Sequence, residues 1–184
     1  MAVKTRLQSL SPEEFLEGEQ ISKVRHELVA GQAYAMVGAS NIHNLLAGSI
    51  YSILRFHLKK PCQAFMSDMK VRVGDDFYYP DVVVSCTQTN GVFYFVSDPV
   101  VIVEILSPST ERQDRLEKRL AYQKLQTLQE YVLVTQDKMR IEVYRRVPDG
   151  WELEQIDERD ELRLEAIGLV MPVADIYQDV MTGP

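Results

Sequence analysis

The chain has 184 residues, of which 46% are hydrophobic and 26% are charged, and its formal net charge is −7. These values are ordinary for one globular domain and exclude fibrous, low-complexity and disordered proteins. We expect no signal peptide, because the N-terminal segment lacks an apolar core, and no apolar run approaches the ~18–20 residues of a membrane helix. We therefore expect one cytoplasmic, soluble domain over 1–184, with a helical segment at 1–20 and a C-terminal tail at 165–184.

The first third of the chain is predicted to be mainly helical. Ser11 before Pro12 and two glutamates is typical of a helix start, which predicts a short helix over about 12–18. Two short strands around a turn at Gly31 are expected within 27–36. Apolar residues at helical spacing then predict a long helix from 41 to about 59.

The rest of the chain is predicted to form strands and one more helix. The predicted strands are 63–66, 69–73, 78–86, 92–96, 100–106, 131–135, 139–146, 151–156 and 162–164. A helix over about 110–126 separates the fifth strand from the sixth, which implies one parallel crossover, whereas the hairpins imply antiparallel pairs. The segment 172–180 is weakly helical. The fold expected is a mixed α/β domain.

The two cysteines, Cys62 and Cys86, form no CxxC motif and lie in apolar or strand-like surroundings. We interpret them as buried, reduced thiols of a cytosolic protein. Together with His26, His43 and His57 they are too scattered along the chain for a structural zinc site.

Charge is unevenly distributed along the chain. Residues 111–146 hold nine Lys or Arg against six Asp or Glu, whereas residues 151–184 hold two against nine. The net charge argues against general nucleic-acid affinity. A local basic surface in the middle of the chain and an ordinary mixed surface are both compatible with this pattern.

Two carboxylates lie in strands that are otherwise apolar. Asp81 precedes Val82-Val83-Val84, and Glu104 follows Val100-Val101-Ile102-Val103. Such runs are typical of central strands, where an ionised carboxylate needs a cation or strong hydrogen bonds. Neighbouring strands would let both acids bind one Mg²⁺ or Mn²⁺ ion. The alternative is that each acid lies at a strand end, solvated or paired with an arginine.

The helix after Glu104 carries a polar series at helical spacing. Asp114, Lys118 and Tyr122 are four residues apart and share one face. If that helix packs on the sheet, Lys118 can reach the two carboxylates and position or deprotonate a water molecule. The alternative is a surface ion pair between Asp114 and Lys118, which contributes little to stability.

Four motifs occur in order along the chain. They are Pro80-Asp81, the run EILSPST at 104–110, the series Asp114, Lys118 and Tyr122, and the run EYVLV at 130–134. With them the chain, from about 27 to 180, resembles the Uma2 family, a group of endonucleases abundant in cyanobacteria. That family is also described as a domain of unknown function and is placed in the PD-(D/E)XK nuclease superfamily. The resemblance implies a restriction-endonuclease-like fold, a mixed β-sheet flanked by helices.

The resemblance also implies roles for individual residues. Asp81 and Glu104 would be catalytic acids and metal ligands, and the backbone carbonyl of Ile105 would be a third ligand. The superfamily's lysine usually lies two residues after the second acid, where this chain has Leu106. In the Uma2 pattern the lysine lies on the following helix, at the position of Lys118.

Further positions match the family and are assigned supporting roles. Asp114 matches an acid that would orient Lys118 or cap the helix, and Tyr122 completes that series. Glu27 matches a glutamate that lies near the metal in some nucleases, although a solvated acid at a hairpin edge is an equal alternative. His43 matches a histidine that would contact phosphate, although a structural hydrogen bond at a helix start is the alternative.

The function expected from the resemblance is Mg²⁺-dependent hydrolysis of nucleic-acid phosphodiester bonds, with DNA as the expected substrate. Asp81 and Glu104 would hold the ion, and Lys118 would assist the water. The alternative is a catalytically inactive nuclease fold that acts as a dimeric binding or regulatory protein. A homodimer is the expected assembly, because a small domain with a single sheet often pairs, and no membrane association is expected.

Overall fold

The computed structural model describes residues 9–88, 91–108 and 110–181. The strands in chain order are β1 His26–Val29, β2 Gln32–Ala35, β3 Gln63–Met66, β4 Lys70–Val73, β5 Asp76–Tyr78, β6 Val82–Ser85, β7 Phe95–Val96, β8 Pro99–Ile105, β9 Glu130–Val134, β10 Arg140–Val147, β11 Gly150–Asp157, β12 Glu161–Leu164 and β13 Leu169–Pro172. The helices are α1 Pro12–Ile21, α2 Asn41–His57, α3 Glu111–Gln113, α4 Arg119–Tyr122 and α5 Val173–Tyr177. A π-helical turn, Asp114–Lys118, joins α3 to α4, and a 3₁₀ turn, Glu165–Ile167, precedes β13.

The strands form two main sheets rather than the single sheet expected from the sequence. One has the order β2-β1-β5-β4-β7, the other has the order β11-β10-β9-β8-β6-β3, and β12 and β13 form a separate hairpin. This mixed α/β architecture with flanking helices agrees with the predicted fold class.

Helices α1 and α2 each begin directly after a serine that caps the first turn. Ser11 and Glu14 form a reciprocal capping box at α1. The Ser40 hydroxyl accepts from the backbone N–H of His43 at the start of α2. This hydrogen bond fixes the backbone at the start of α2, and with it the position of His43.

The central strands β6, β8 and β9 of the six-stranded sheet are buried on both faces, as their near-continuous apolar runs predict. One face packs against α2, α5 and the β12–β13 hairpin. The other packs against the helical segment 111–122 and part of the five-stranded sheet. The segment 111–122 thus presses its polar series directly onto the sheet.

The predicted parallel crossover is confirmed. Strand β8 pairs parallel to β9, with Glu104 opposite Leu133, and the helical segment 111–122 connects the two strands. The segment is shorter than the predicted 110–126, and its middle turn is π-helical rather than α-helical.

The predicted continuous strand over 78–86 is broken in two. β5 ends at Tyr78 in the five-stranded sheet, and β6 begins at Val82 in the six-stranded sheet. Pro80 lacks the N–H that a central strand needs, so the chain leaves one ladder there and enters the other. Asp81 consequently lies at the junction of the two sheets.

The interpretation of the cysteines as buried, reduced thiols is wrong. Cys62 and Cys86 form a disulfide, with sulfur atoms 1.99 Å apart, and both residues are half-buried. The antiparallel register of β3 and β6 pairs Gln63 with Ser85, which brings the adjoining positions 62 and 86 face to face. Reduced thiols are one reason for expecting a cytoplasmic protein, and that reason no longer applies.

Among the helices of the described ranges, none combines the length and apolarity needed to span a membrane.

Candidate active site

The site begins with two carboxylates on adjacent antiparallel strands. β6 pairs with β8 so that Val82 lies opposite Val103, which places Asp81 beside Glu104. The backbone N–H of Ile105 donates to Asp81 Oδ2 at 2.7 Å, and the Asp81 N–H donates to Glu104 Oε2 at 3.4 Å. Asp81 is half-buried, whereas Glu104 is only 3% exposed. Within the described ranges, neither acid is paired with an arginine.

Lys118 lies in the middle of a carboxylate cluster. Its Nζ is 3.2 Å from Glu104 Oε1, 3.1 Å from Glu27 Oε1 and 3.3 Å from Asp114 Oδ1. The side chain is buried, so the pair with Asp114 is not the surface ion pair of the alternative interpretation. Two acids from the sheets and one from its own helix therefore share one ammonium.

The π-helical turn places the ends of the polar series. Tyr122, fully buried, donates its hydroxyl to Glu104 Oε1 at 3.1 Å. Tyr131 of β9 donates its hydroxyl to the backbone carbonyl of Asp114 at 3.0 Å, within the widened turn. Such π-turns are frequent at functional sites, and this one brings Asp114, Lys118 and Tyr122 to the same cluster.

Glu27 belongs to the cluster and is not a solvated hairpin acid. It is buried, and Glu27 Oε1 accepts from the backbone N–H of Tyr79 at 3.1 Å. Gln113, which sequence reasoning did not single out, donates its side-chain amide to Glu27 Oε2 at 3.5 Å. Helical spacing alone does not reveal Gln113, because it lies next to the polar series rather than within it.

His43 faces Asp81 from the first turn of α2. Its Nε2 is 3.2 Å from Asp81 Oδ2, and its side chain is partly accessible to solvent. Burial alone lowers the pKa of His43, but the hydrogen bond and the charge of Asp81 outweigh burial and raise the pKa overall. The histidine and Asp81 form the more open end of the site.

The cluster contains more carboxylates than cations, and this imbalance shifts the pKa values of its members. Burial raises the pKa of Glu104 well above its ordinary value, against the attraction of Lys118. Burial likewise raises the pKa of Asp114. Burial lowers the pKa of Lys118, but the charges of Glu104, Glu27 and Asp114 outweigh it, and the net pKa lies well above the ordinary value. Lys118 is therefore protonated at neutral pH.

The donors suit a hard divalent cation bound by few protein ligands. No group of three or more His, Cys, Asp or Glu side chains within the described residues is arranged as a metal cage. Mg²⁺ needs no such cage, because it is usually held by one or two carboxylates together with water and substrate phosphates. Three buried carboxylates share one ammonium, and the half-buried Asp81 lies beside Glu104, so the cluster carries negative charge that such an ion would neutralise.

A second polar cluster, also missed from the sequence, supports the segment before Asp81. The Tyr79 hydroxyl donates to Glu19 Oε2 at 2.8 Å and accepts from Lys70 Nζ at 3.1 Å. Glu19 Oε1 is 2.8 Å from His26 Nδ1. Through Tyr79, whose N–H binds Glu27, helix α1 is tied to the site.

The local basic surface suggested by the charge pattern is largely neutralised. Arg115 contacts Glu111 and Glu142, while Arg145 contacts Glu130 and Glu154. Arg140 pairs with Asp157, Lys118 is buried, and Arg146 donates to backbone carbonyls. Five of the nine cations in 111–146 are thus engaged within the molecule.

The architecture defines the class of protein first. A crystal structure of "a putative nuclease belonging to DUF820" from Anabaena variabilis aligns with a TM-score of 0.78 at 20% identity, covering 94% of this chain and 99% of that one. The fold is that of the restriction-endonuclease-like nucleases, with the site at the junction of its two sheets.

The chain belongs to the Uma2 family, whose model is described as "Putative restriction endonuclease" and matches residues 12–174. Two relatives from Synechocystis sp. cover most of it. The uncharacterized protein slr1290 is 36% identical over 174 residues, 92% of each chain. The uncharacterized protein sll1609 is 30% identical over 155 residues, 81% of this chain and 88% of that one. The sequence-based family assignment is confirmed.

Proposed function

We propose that this protein is a Mg²⁺- or Mn²⁺-dependent endonuclease that hydrolyses phosphodiester bonds of nucleic acid, with DNA as its substrate. The observation that carries the proposal is the convergence of Asp81, Glu104 and Lys118 at the end of adjacent strands. Membership of a family described as "Putative restriction endonuclease" and the fold shared with the DUF820 structure support the same chemistry.

In this proposal Asp81 and Glu104 hold the ion, with the Ile105 carbonyl as a third ligand. A bound ion would lower the pKa of a water molecule and neutralise charge that develops on the phosphate. Asp81 is already fixed by the Ile105 N–H, and Glu104 by Tyr122 and Lys118. These hydrogen bonds pre-orient both acids, so little reorganisation is needed when the ion binds.

Lys118 acts as a proton donor in hydrogen bonds and not as the general base. Its raised pKa keeps it protonated, because Glu104, Glu27 and Asp114 surround the ammonium. A protonated lysine orients the attacking water and stabilises negative charge on phosphate oxygens. Glu27 and Asp114 hold the ammonium in place. His43, which lies beside Asp81 at the open end, would contact phosphate.

The experiment compares cleavage of plasmid and single-stranded DNA by the wild-type protein and by Glu104→Gln, with Mg²⁺ or Mn²⁺. We expect metal-dependent cleavage by the wild type only, because the amide cannot supply the charged ligand. Glu130→Gln is the matched control. Glu130 is also buried on a neighbouring strand, but it contacts Arg145 and the N–H of Glu165, away from the site. This variant should cleave like the wild type.

Equal cleavage by the wild type and Glu104→Gln would contradict the proposal. If neither protein cleaves DNA, calorimetric titration with Mn²⁺ separates the remaining possibilities. Binding by the wild type that is lost in Asp81→Asn would favour the alternative, a nuclease fold retained for binding or regulation. No binding by either protein would contradict the metal site itself.

A further inference from the structure

One exposed part of the molecule carries no charge. We call residues 32–42, which run from β2 into the first turn of α2, the uncharged strip. All eleven residues are exposed, and none is Asp, Glu, Lys or Arg, although 26% of the whole chain is charged. The charge-free run continues on both sides, from Leu28 to Leu54. Depletion of charge on an exposed surface is typical of the centre of a protein–protein interface.

The uncharged strip is also rich in large apolar side chains. Tyr34, Met36, Val37 and Ile42 are all exposed, Val37 by 78% of its surface. Strand β2 is exposed at every position, so neither of its faces is covered by the rest of the described structure. A strand that buries neither face gains little stability from apolar burial within its own chain, so its exposed apolar side chains point to a partner that covers them.

The outer edge of β2 is open for strand pairing. β2 is the terminal strand of the five-stranded sheet among the described residues. Gln32 and Tyr34 lie opposite Val29 and Glu27, and Met36 N–H continues this ladder to the Arg25 carbonyl at 2.8 Å.

Because alternate residues bond to alternate sides of an antiparallel strand, the backbone groups of Ala33 and Ala35 point away from β1. The edge has no proline, lysine or other charged residue to block pairing.

The chemistry of the uncharged strip selects the partner. Nucleic acid is disfavoured, because lysine and arginine supply most of the affinity of proteins for its phosphates, and the strip has neither. A partner with a strongly charged surface is disfavoured too, because the strip offers no opposite charge to pair with it. Two copies of this chain each carry −7 and repel each other, so a contact between them is least unfavourable through a surface that brings no like charges close together. In a twofold dimer the strip of one copy contacts the strip of the other, so any charge near the axis would face a like charge.

We propose that the uncharged strip is the docking surface for a second copy of this chain, with β2 pairing antiparallel to β2 across a twofold axis. The register that uses all the outward groups pairs Ala33 of one copy with Ala35 of the other. It places the two Tyr34 side chains directly opposite each other at the axis, as a non-hydrogen-bonded pair. The two five-stranded sheets become one continuous sheet. This inference does not depend on endonuclease activity.

The first test measures mass against concentration by sedimentation for the full-length protein, Tyr34→Asp and Phe56→Asp. We expect a wild-type dimer of twice 21.1 kDa. Tyr34→Asp sets two like charges at the axis and should raise the dimer dissociation constant about tenfold or more. Phe56 is exposed but lies at the other end of α2, so Phe56→Asp should dimerise like the wild type. Unchanged melting temperatures would show that both variants fold.

A second test probes the register. Tyr34→Cys should form an intermolecular disulfide under mild oxidation, because cysteines at a non-hydrogen-bonded pair lie within bonding distance. Phe56→Cys is the control and should not cross-link. A wild-type monomer at all concentrations, an open series of larger assemblies, or dimers that tolerate Tyr34→Asp would each overturn the proposal. Cross-linking at both positions alike would do so too.

Discussion

Lys118 shows how one residue balances the charge of the whole site. Its ammonium contacts three buried carboxylates, of which two, Glu104 and Asp114, have pKa values raised by burial. A buried ion pair contributes little net stability, but removing one partner leaves uncompensated charge in the interior. The lysine is therefore expected to matter for folding as well as for catalysis.

We predict that Lys118→Met destabilises the protein by about 3–5 kcal/mol at neutral pH, because the buried acids lose their cation. The folded acids then bind protons at a pH where the unfolded ones do not, so stability rises as the pH falls through their raised pKa values. Urea denaturation at several pH values in EDTA should show a deficit that is largest at alkaline pH and shrinks as the pH is lowered.

The matched control for this prediction is Lys124→Met, which changes an exposed lysine near the same helical segment. It should have little effect at any pH. A deficit in Lys118→Met that stays constant with pH would show that lost packing, and not unpaired charge, causes the destabilisation.

The sequence showed which residues were candidates for the site better than it showed which residues contact one another. Asp81 and Glu104 were recognisable because a carboxylate in an apolar strand is costly to bury unless it binds a cation or accepts strong hydrogen bonds. Tyr79 and Glu19 gave no such signal, since tyrosine is common in strands and glutamate is common in helices. Their link is visible only once α1 packs against the segment before Pro80.

At the scale of elements, the site depends on where strands change sheets. The residues Tyr79-Pro80-Asp81 lie between β5 and β6, which belong to different sheets. Glu27 comes from one sheet and Glu104 from the other, and Lys118 bridges them from the helical segment. The apolar pattern of 78–86 predicts extended backbone correctly, but it does not reveal that the chain exchanges hydrogen-bonding partners at Pro80.

The disulfide joins two elements at the edge of the larger sheet. Cys62 follows the loop after α2, Cys86 follows β6, and 24 residues separate them in sequence. Closing a loop of this length in the unfolded chain gives about 3 kcal/mol of stability in the loop-entropy model. Reduction should therefore lower the melting temperature of the wild-type protein.

The control for the disulfide is the double variant Cys62→Ser and Cys86→Ser, whose melting temperature should not respond to reductant. The variant should melt near the reduced wild type. A wild-type protein whose melting temperature is the same with and without reductant would contradict the predicted stabilisation.

At the scale of the whole molecule, negative charge is in excess both at the carboxylate cluster and over the chain as a whole. Four of the nine cations of 111–146 form ion pairs within the molecule, and the acidic excess of 151–184 adds to the negative net charge. A divalent ion bound at the carboxylate cluster would reduce this excess. Binding to the folded state alone stabilises that state by linkage.

We accordingly predict that Mn²⁺ or Mg²⁺ raises the melting temperature of the wild-type protein, by an amount that grows with ion concentration. Asp81→Asn should lose this response, while Asp98→Asn should keep it, because Asp98 contacts Ser85 away from the cluster. An equal rise in both variants would place the stabilising ion elsewhere on the surface.

The sequence by itself determined the fold class, the family, the parallel crossover and the identity of the two strand carboxylates. These follow from local periodicity, from capping and from short motifs, which are properties of neighbouring residues. The tertiary structure alone decided that the strands divide into two sheets, that Cys62 and Cys86 are bonded, and that Glu27, Glu104 and Asp114 share Lys118. Those contacts depend on which distant segments pack together, and the pattern of residues within one segment does not specify its partners elsewhere in the chain.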